Sequence, residues 1–174
     1  MTIGLVASVL ALYGASLQQM TVEQTSAAAT EIVRGTVTGT YTALSGRTVF
    51  THYKIQVVER LKGPNNPVVD MALPGGVFGG VRQTFPGVPA LTVGGQYLLF
   101  LWTGASGPTQ PVGFSQGVFS VAPDGTGVTT ASRPATGEIL VDTQGRVVND
   151  RPVSIALSTM RSKVVAAMAG GKGK

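Results

Sequence analysis

"QYLLFLW", residues 96–102, carries no charge and is apolar at every position after Gln96. A strand with one solvated face alternates apolar and polar residues, and this one does not. It reads as a central strand covered on both faces. Elsewhere the chain does alternate. In "IVRGTVTGTYT", residues 32–42, Val33, Gly35, Val37, Gly39 and Tyr41 fall on one face, and Arg34, Thr36, Thr38, Thr40 and Thr42 on the other. Ser45-Gly46 makes a turn. "RTVFTHYKIQVVERLKG", residues 47–63, returns with Val49, Thr51, Tyr53, Ile55 and Val57 inward and His52, Lys54, Gln56 and Arg60 outward. The pair predicts a long hairpin. "GPNNP" closes it, because Pro64 and Pro67 cannot donate to a ladder.

Further strands are expected in "VVDMAL" (68–73) and "VGFSQGVFSV" (112–121), the latter ended by the turn "PDGTG". "GEILVDTQGRVV" (137–148) reads as a small hairpin about Thr143-Gln144-Gly145. A helix is expected at each end. "LQQMTVEQTSAAATE" (17–31) offers Thr21 and Gln24 as a capping box and only a thin apolar stripe, which predicts a surface helix. Val153, Leu157, Met160, Val164 and Met168 form one stripe of a C-terminal helix, capped by Asn149 or Asp150, with Pro152 in its first turn. The order is helix, five to seven strands, helix. The simplest architecture is a small β-barrel with helices packed on it.

Composition agrees with that class. The chain has 174 residues, 24 of them Gly and 10 Pro, with 12% charged. That length suggests one domain and a core that holds without staples. With no cysteine, disulfides, thiolate metal sites and thiol catalysis are excluded. The formal charge of +5 comes from basic residues scattered along the chain, not gathered into a nucleic-acid stripe. Residues 1–16, "MTIGLVASVLALYGAS", are uncharged. They are too short to span a bilayer, which takes about 20 residues. They resemble the apolar part of a secretory signal, with Gly14 and Ser16 before a cut, although no Lys or Arg stands near Met1. The alternative is a buried N-terminal helix. The expected layout is an apolar segment at 1–16, one β-barrel domain at 17–170 and a flexible basic tail at 171–174.

The segments "IVRGTVTG", "THYKIQVVERLKGP", "LPGGVFGGVRQTFPGVPALTVGGQYLLFL" and "VGFSQGVFSV", followed by a terminal helix, resemble a family of uncharacterised secreted bacterial proteins. That family is similar to the netrin-module and metalloprotease-inhibitor barrels of OB type. The resemblance covers roughly residues 17–168. It implies an OB-like barrel and a secreted, periplasmic or cell-surface location, but no chemistry. The inhibitors of that fold place an N-terminal cysteine on their target's zinc, and this chain has no such residue.

Candidate sites are few. "LPGGVFGGVRQTFPGVP", residues 73–89, is rich in Gly and Pro. Gly75 and Gly80 have the separation of a phosphate loop, but Val81-Arg82 follow where Lys and Ser or Thr are needed. No helix opens there to face an anion. Long ordered loops often carry function, so Phe78, Arg82 and Phe85 are the candidate partner-binding residues. "GFSQG" (113–117) matches the G-x-S-x-G nucleophile elbow around Ser115, yet strand and turn follow it instead of a helix. His52 is the sole histidine, so a multi-histidine zinc site is impossible. It reads as an exposed strand residue; Asp70 or Asp142 could complete a triad, but no spacing supports one. The carboxylates are dispersed. The threonine row 36, 38, 40, 42 reads as a solvent face of good β-formers. Phe50, Tyr53 and Phe78, with Lys54 and Arg82, are the residues an OB-type single-stranded nucleic-acid binder would use. The sequence thus favours a secreted, non-enzymatic β-barrel that binds another protein or itself, with no cofactor, no metal and no membrane span. A nucleic-acid binder and a serine hydrolase through Ser115 are the alternatives.

Overall fold

The computed structural model describes residues 16–105 and 107–170. The apolar segment before Ser16 and the tail at 171–174 lie outside the described residues. The chain is mainly β, with one helix near its start and one at its end. In order, the elements are β1 (Ser16–Gln18), α1 (Val22–Ala28), β2 (Glu31–Ser45), β3 (Thr48–Lys62), β4 (Val68–Pro74), β5 (Gly76–Phe78), β6 (Val81–Gln83) and β7 (Gln96–Thr103). There follow β8 (Thr109–Pro111), β9 (Val118–Pro123), β10 (Thr129–Arg133), β11 (Ile139–Val141), β12 (Val147–Val148), β13 (Val153–Ala156) and α2 (Leu157–Gly170). The strands outnumber the sequence expectation because several are only two to four residues long.

The main sheet runs β13-β10-β9-β7-β2-β3-β4-β8, and β8 also pairs with β7. The pairings therefore return on themselves through β7, β2, β3, β4 and β8. The seam is a single parallel rung, Met71 to Thr109. The remaining strands, β9, β10 and β13, extend the sheet away from that ring. β7 sits at the junction: β9 pairs with its first half and β8 with its second. This is why "QYLLFLW" has no polar face. Leu98 and Phe100 point to one core, shared with Ile32, Phe119, Leu157 and Met160 beneath the helices. Leu99 and Leu101 point into the other, with Val33, Val37, Ile55 and Met71 inside the ring. All four β7 side chains are fully buried. Each contributes about 1.5–3 kcal/mol by leaving water.

The β2–β3 hairpin forms as expected, but its alternation breaks. The ladder steps from Val37–Ile55 to Gly39–Lys54, leaving Thr38 as an extra residue. A bulge of one residue exchanges the two faces of a strand. Tyr41 is thereby turned outward, 42% exposed, instead of following Val37 into the core. The threonine row is broken at the same place: Thr38 Oγ1 donates to Lys54 O, and Thr42 Oγ1 donates to Val77 O.

Both helices differ from expectation at their starts. The capping box of Thr21 and Gln24 is present, yet Leu17 and Gln18 belong to β1, which pairs in parallel with β11. α1 is not a free surface helix. It packs on α2 and buries Thr25 and Ser26, whose hydroxyls bond back to the carbonyls of Thr21 and Val22. α2 begins at Leu157, and Val153 lies in β13, laddered to Arg133. Asp150 therefore caps nothing. It is drawn instead to Arg133, a stronger partner than a helix N-terminus. The stripe Leu157, Met160, Val164 and Met168 faces the core as expected.

Candidate binding groove

The Gly/Pro loop folds on itself. β5 and β6 pair antiparallel about Gly79 and Gly80, both at positive φ (56° and 79°). Two adjacent left-handed residues make the tight hairpin turn that glycine serves. The small hairpin is fastened to the β2–β3 ribbon: Gly75 N–H donates to Val49 O, and Gln83 accepts from Val49 N–H and donates to Arg47 O. Phe78 and Arg82 stand exposed on this hairpin. Phe85 follows the hairpin, its ring near Gly75 at the hairpin's base, and shares a cavity with Ile139 of β11.

There Phe85 lines a groove between the segment 85–90 and the segment 132–139. One half is an apolar cavity of about 630 Å³, walled by Leu17, Phe50, Pro74, Phe85, Phe114 and Ile139. The other half, about 510 Å³, shares Val88 and Gly137 with the first and is edged by hydroxyls: Ser115, Ser120, Ser132 and Thr136, with Tyr97. Both volumes lie in the range of ligand pockets.

Glu138 lines the apolar half, next to the shared Gly137. Its Oε2 accepts from Thr136 Oγ1 at 2.7 Å and lies 3.0 Å from Ser115 Oγ. Ser115 Oγ is also 2.8 Å from Thr136 Oγ1. The backbone N–H of Glu138 donates to Thr136 Oγ1 at 3.1 Å. Oε1 accepts no hydrogen bond from the described residues. The Glu138 stem packs on Gly87, where an added Cβ would meet Cγ at 2.1 Å. Among the described residues, the only other charged side chain in the groove is that of Arg133. It is committed to Asp150 by two hydrogen bonds, of 2.5 and 3.1 Å.

Six of the eight carboxylates have a basic partner: Glu23 with Lys163, Glu31 with Arg60, Glu59 with Arg34 and Arg161, Asp70 with His52, Asp142 with Arg146, and Asp150 with Arg133. Asp124 spends its carboxylate on the N–H groups of Thr126 and Val128, holding the "PDGTG" turn. Glu138 is left as the carboxylate that lines a cavity without a basic partner among the described residues. Burial alone would raise the Asp150 carboxyl. Arg133 and the N–H groups of Thr136 and Arg151 outweigh it and hold the group below the usual carboxylate range.

"GFSQG" is not a strand and not an elbow. Residues 114–117 form a 3-10 turn at the break between β8 and β9. Gly117 is needed there because a Cβ would lie 2.5 Å from Val112 O and 2.9 Å from Phe100 O. Gln116 is buried and stitches β1 to the sheet, accepting from Met20 N–H and donating to Gln18 O. Ser115 faces Glu138 and not His52.

His52 is drawn into a cluster of its own on the outer face of the ribbon. It stacks on Tyr41 at 4.5 Å between ring centroids, and its Nδ1 lies 2.8 Å from Asp70 Oδ1. Tyr41 donates to Asp70 Oδ2, and that bond, with some burial, pushes its phenol up. The expected exposed histidine is thus half-buried. The bulge at Thr38 is what brings Tyr41 to it. Tyr53 lies in the ring's core and offers no stacking platform. No group of three or more His, Cys, Asp or Glu among the described residues could hold a metal ion. No described helix is long and apolar enough to cross a membrane.

Phe85 and Ser115, singled out in the sequence, line the groove; Thr136 and Glu138, which line it too, were not singled out. The signal available was the irregular stretch "SRPATGE" (132–138), where a hydroxyl stands two residues before a carboxylate. Comparison with family models, curated proteins and solved structures returns no match.

Proposed function

We propose that this chain is a secreted, non-enzymatic binding protein that receives an extended segment of a partner protein in the groove beside Phe85. The observation that supports this reading is the groove's division. An apolar half can take a large side chain, and a hydroxyl-edged half can hydrogen-bond the backbone that follows it. The signal-like residues 3–13 support secretion. The ring of pairings through β7, β2, β3, β4 and β8 supports an OB-like reading of the fold. A hydrolase through Ser115 is disfavoured, since its hydroxyl faces a carboxylate with no imidazole in the groove.

The test is an amide-resonance titration with the neutral peptide acetyl-Gly-Phe-Leu-norleucine-Gly-amide. Shifts concentrated in residues 85–90, 114–116 and 134–139, and lost when Val88→Trp fills the groove, are the expected result. Absence of shifts, or shifts centred on α2 and β13, would sink the reading.

A further inference from the structure

We infer that the groove selects a positively charged residue, a lysine or arginine of the bound segment, through the carboxylate of Glu138. The inference rests on the binding reading above and deepens it. Three observations carry it. Glu138 lines the apolar half beside Gly137, which lines both halves, and its carboxylate meets Ser115 and Thr136 of the hydroxyl-edged half. It has no basic partner within the described residues, whereas six other carboxylates do. It is also held in place: two hydroxyls fix Oε2 while Oε1 accepts nothing from the protein.

A loose surface carboxylate gains little from an ion pair, because water screens it and its side chain must be ordered. Glu138 is already ordered, by Thr136, Ser115 and the wall at Gly87. Preorganisation removes part of the cost of binding. The apolar wall beside it excludes water and strengthens the attraction. Phe85 and Phe114 give the aliphatic stem of a lysine or arginine a surface to lie on. The one cation in the groove, Arg133, is occupied by Asp150 and does not compete for Glu138.

The experiment compares two peptides, acetyl-Gly-Phe-Leu-Lys-Gly-amide and its norleucine counterpart, against the full chain and its Glu138→Gln variant. Norleucine keeps the shape of the lysine stem and drops the charge. The lysine peptide is expected to bind about tenfold tighter at low salt. That preference should shrink as salt rises and vanish in Glu138→Gln. Equal affinity for the two peptides in the wild type overturns the inference and leaves the binding reading standing. A preference that survives in Glu138→Gln also overturns it. Failure of both peptides to bind overturns both readings.

Discussion

Two cavities flank the segment from Arg133 to Asp150, and each holds one carboxylate. Asp150 lines the one beneath α1, and Glu138 lines the groove beside Phe85. Thr136 touches both: its N–H donates to Asp150 Oδ2 at 2.8 Å and its hydroxyl to Glu138. The difference is the countercharge. Asp150 is met by Arg133 in a pair whose side chains are only 5% and 8% exposed. Glu138 is met only by hydroxyls. The Asp150 charge is balanced inside the chain. The Glu138 charge is the one the inference above assigns to a bound cation.

The comparison breaks most visibly on the Asp150 side. Phe100 is fully buried under the helices and packs edge-to-face on Phe119. Phe100→Ala is expected to cost about 4 kcal/mol, measured by urea unfolding, with no groove-specific signature. Asp150→Ala leaves Arg133 buried and unpaired and should cost about 3 kcal/mol. A cost under about 1 kcal/mol would show that the pair is not structural. Because the folded Asp150 carboxyl titrates below its ordinary 3.8, its contribution is complete above that value. It is lost as pH falls through the folded value. Wild-type melting temperature should therefore hold at neutral pH and drop below about pH 4. Asp150→Asn should lower the plateau and flatten part of that drop. Glu59 contributes to the rest: burial opposes its ionisation, but Arg161 and Arg34 hold it low.

On the Glu138 side the effects are smaller. Gly87 has φ of +77°, and its missing Cβ makes room for Glu138. Gly87→Ala should cost about 1–2 kcal/mol of stability. It should also displace the carboxylate, lowering the preference for the lysine peptide. Glu138→Gln keeps the shape and removes only charge. It should change stability by less than about 0.5 kcal/mol. A loss as large as that of Asp150→Ala would make Glu138 structural and erase the contrast.

How much of this could be read from the chain alone follows the same division. The central position of β7 was legible because burial on both faces leaves a continuous apolar run. The β2–β3 hairpin, the capping box of α1 and the stripe of α2 were legible because each is a local pattern. Tyr41 was misplaced because one unpaired residue, Thr38, reverses the faces, and alternation carries no mark of a bulge. The helix start at Asp150 was misread because capping preference competes with a distant arginine that local pattern does not reveal. Glu138 was missed for a related reason. What distinguishes it is the lack of a partner, and partners are set by tertiary pairing. Of the loop residues singled out, Phe78 and Arg82 stand exposed on the β5–β6 hairpin and Phe85 lines the cavity beyond it.

The most direct test follows the side-chain carboxyl resonances of glutamate and aspartate by carbon NMR while the lysine peptide is added. The account predicts that Glu138 Cδ shifts in saturable fashion together with the amides of Gly87 and Gly137, while the Asp150 carboxyl stays still. A stationary Glu138, or equal movement of Glu138, Asp150 and Asp124, would contradict it.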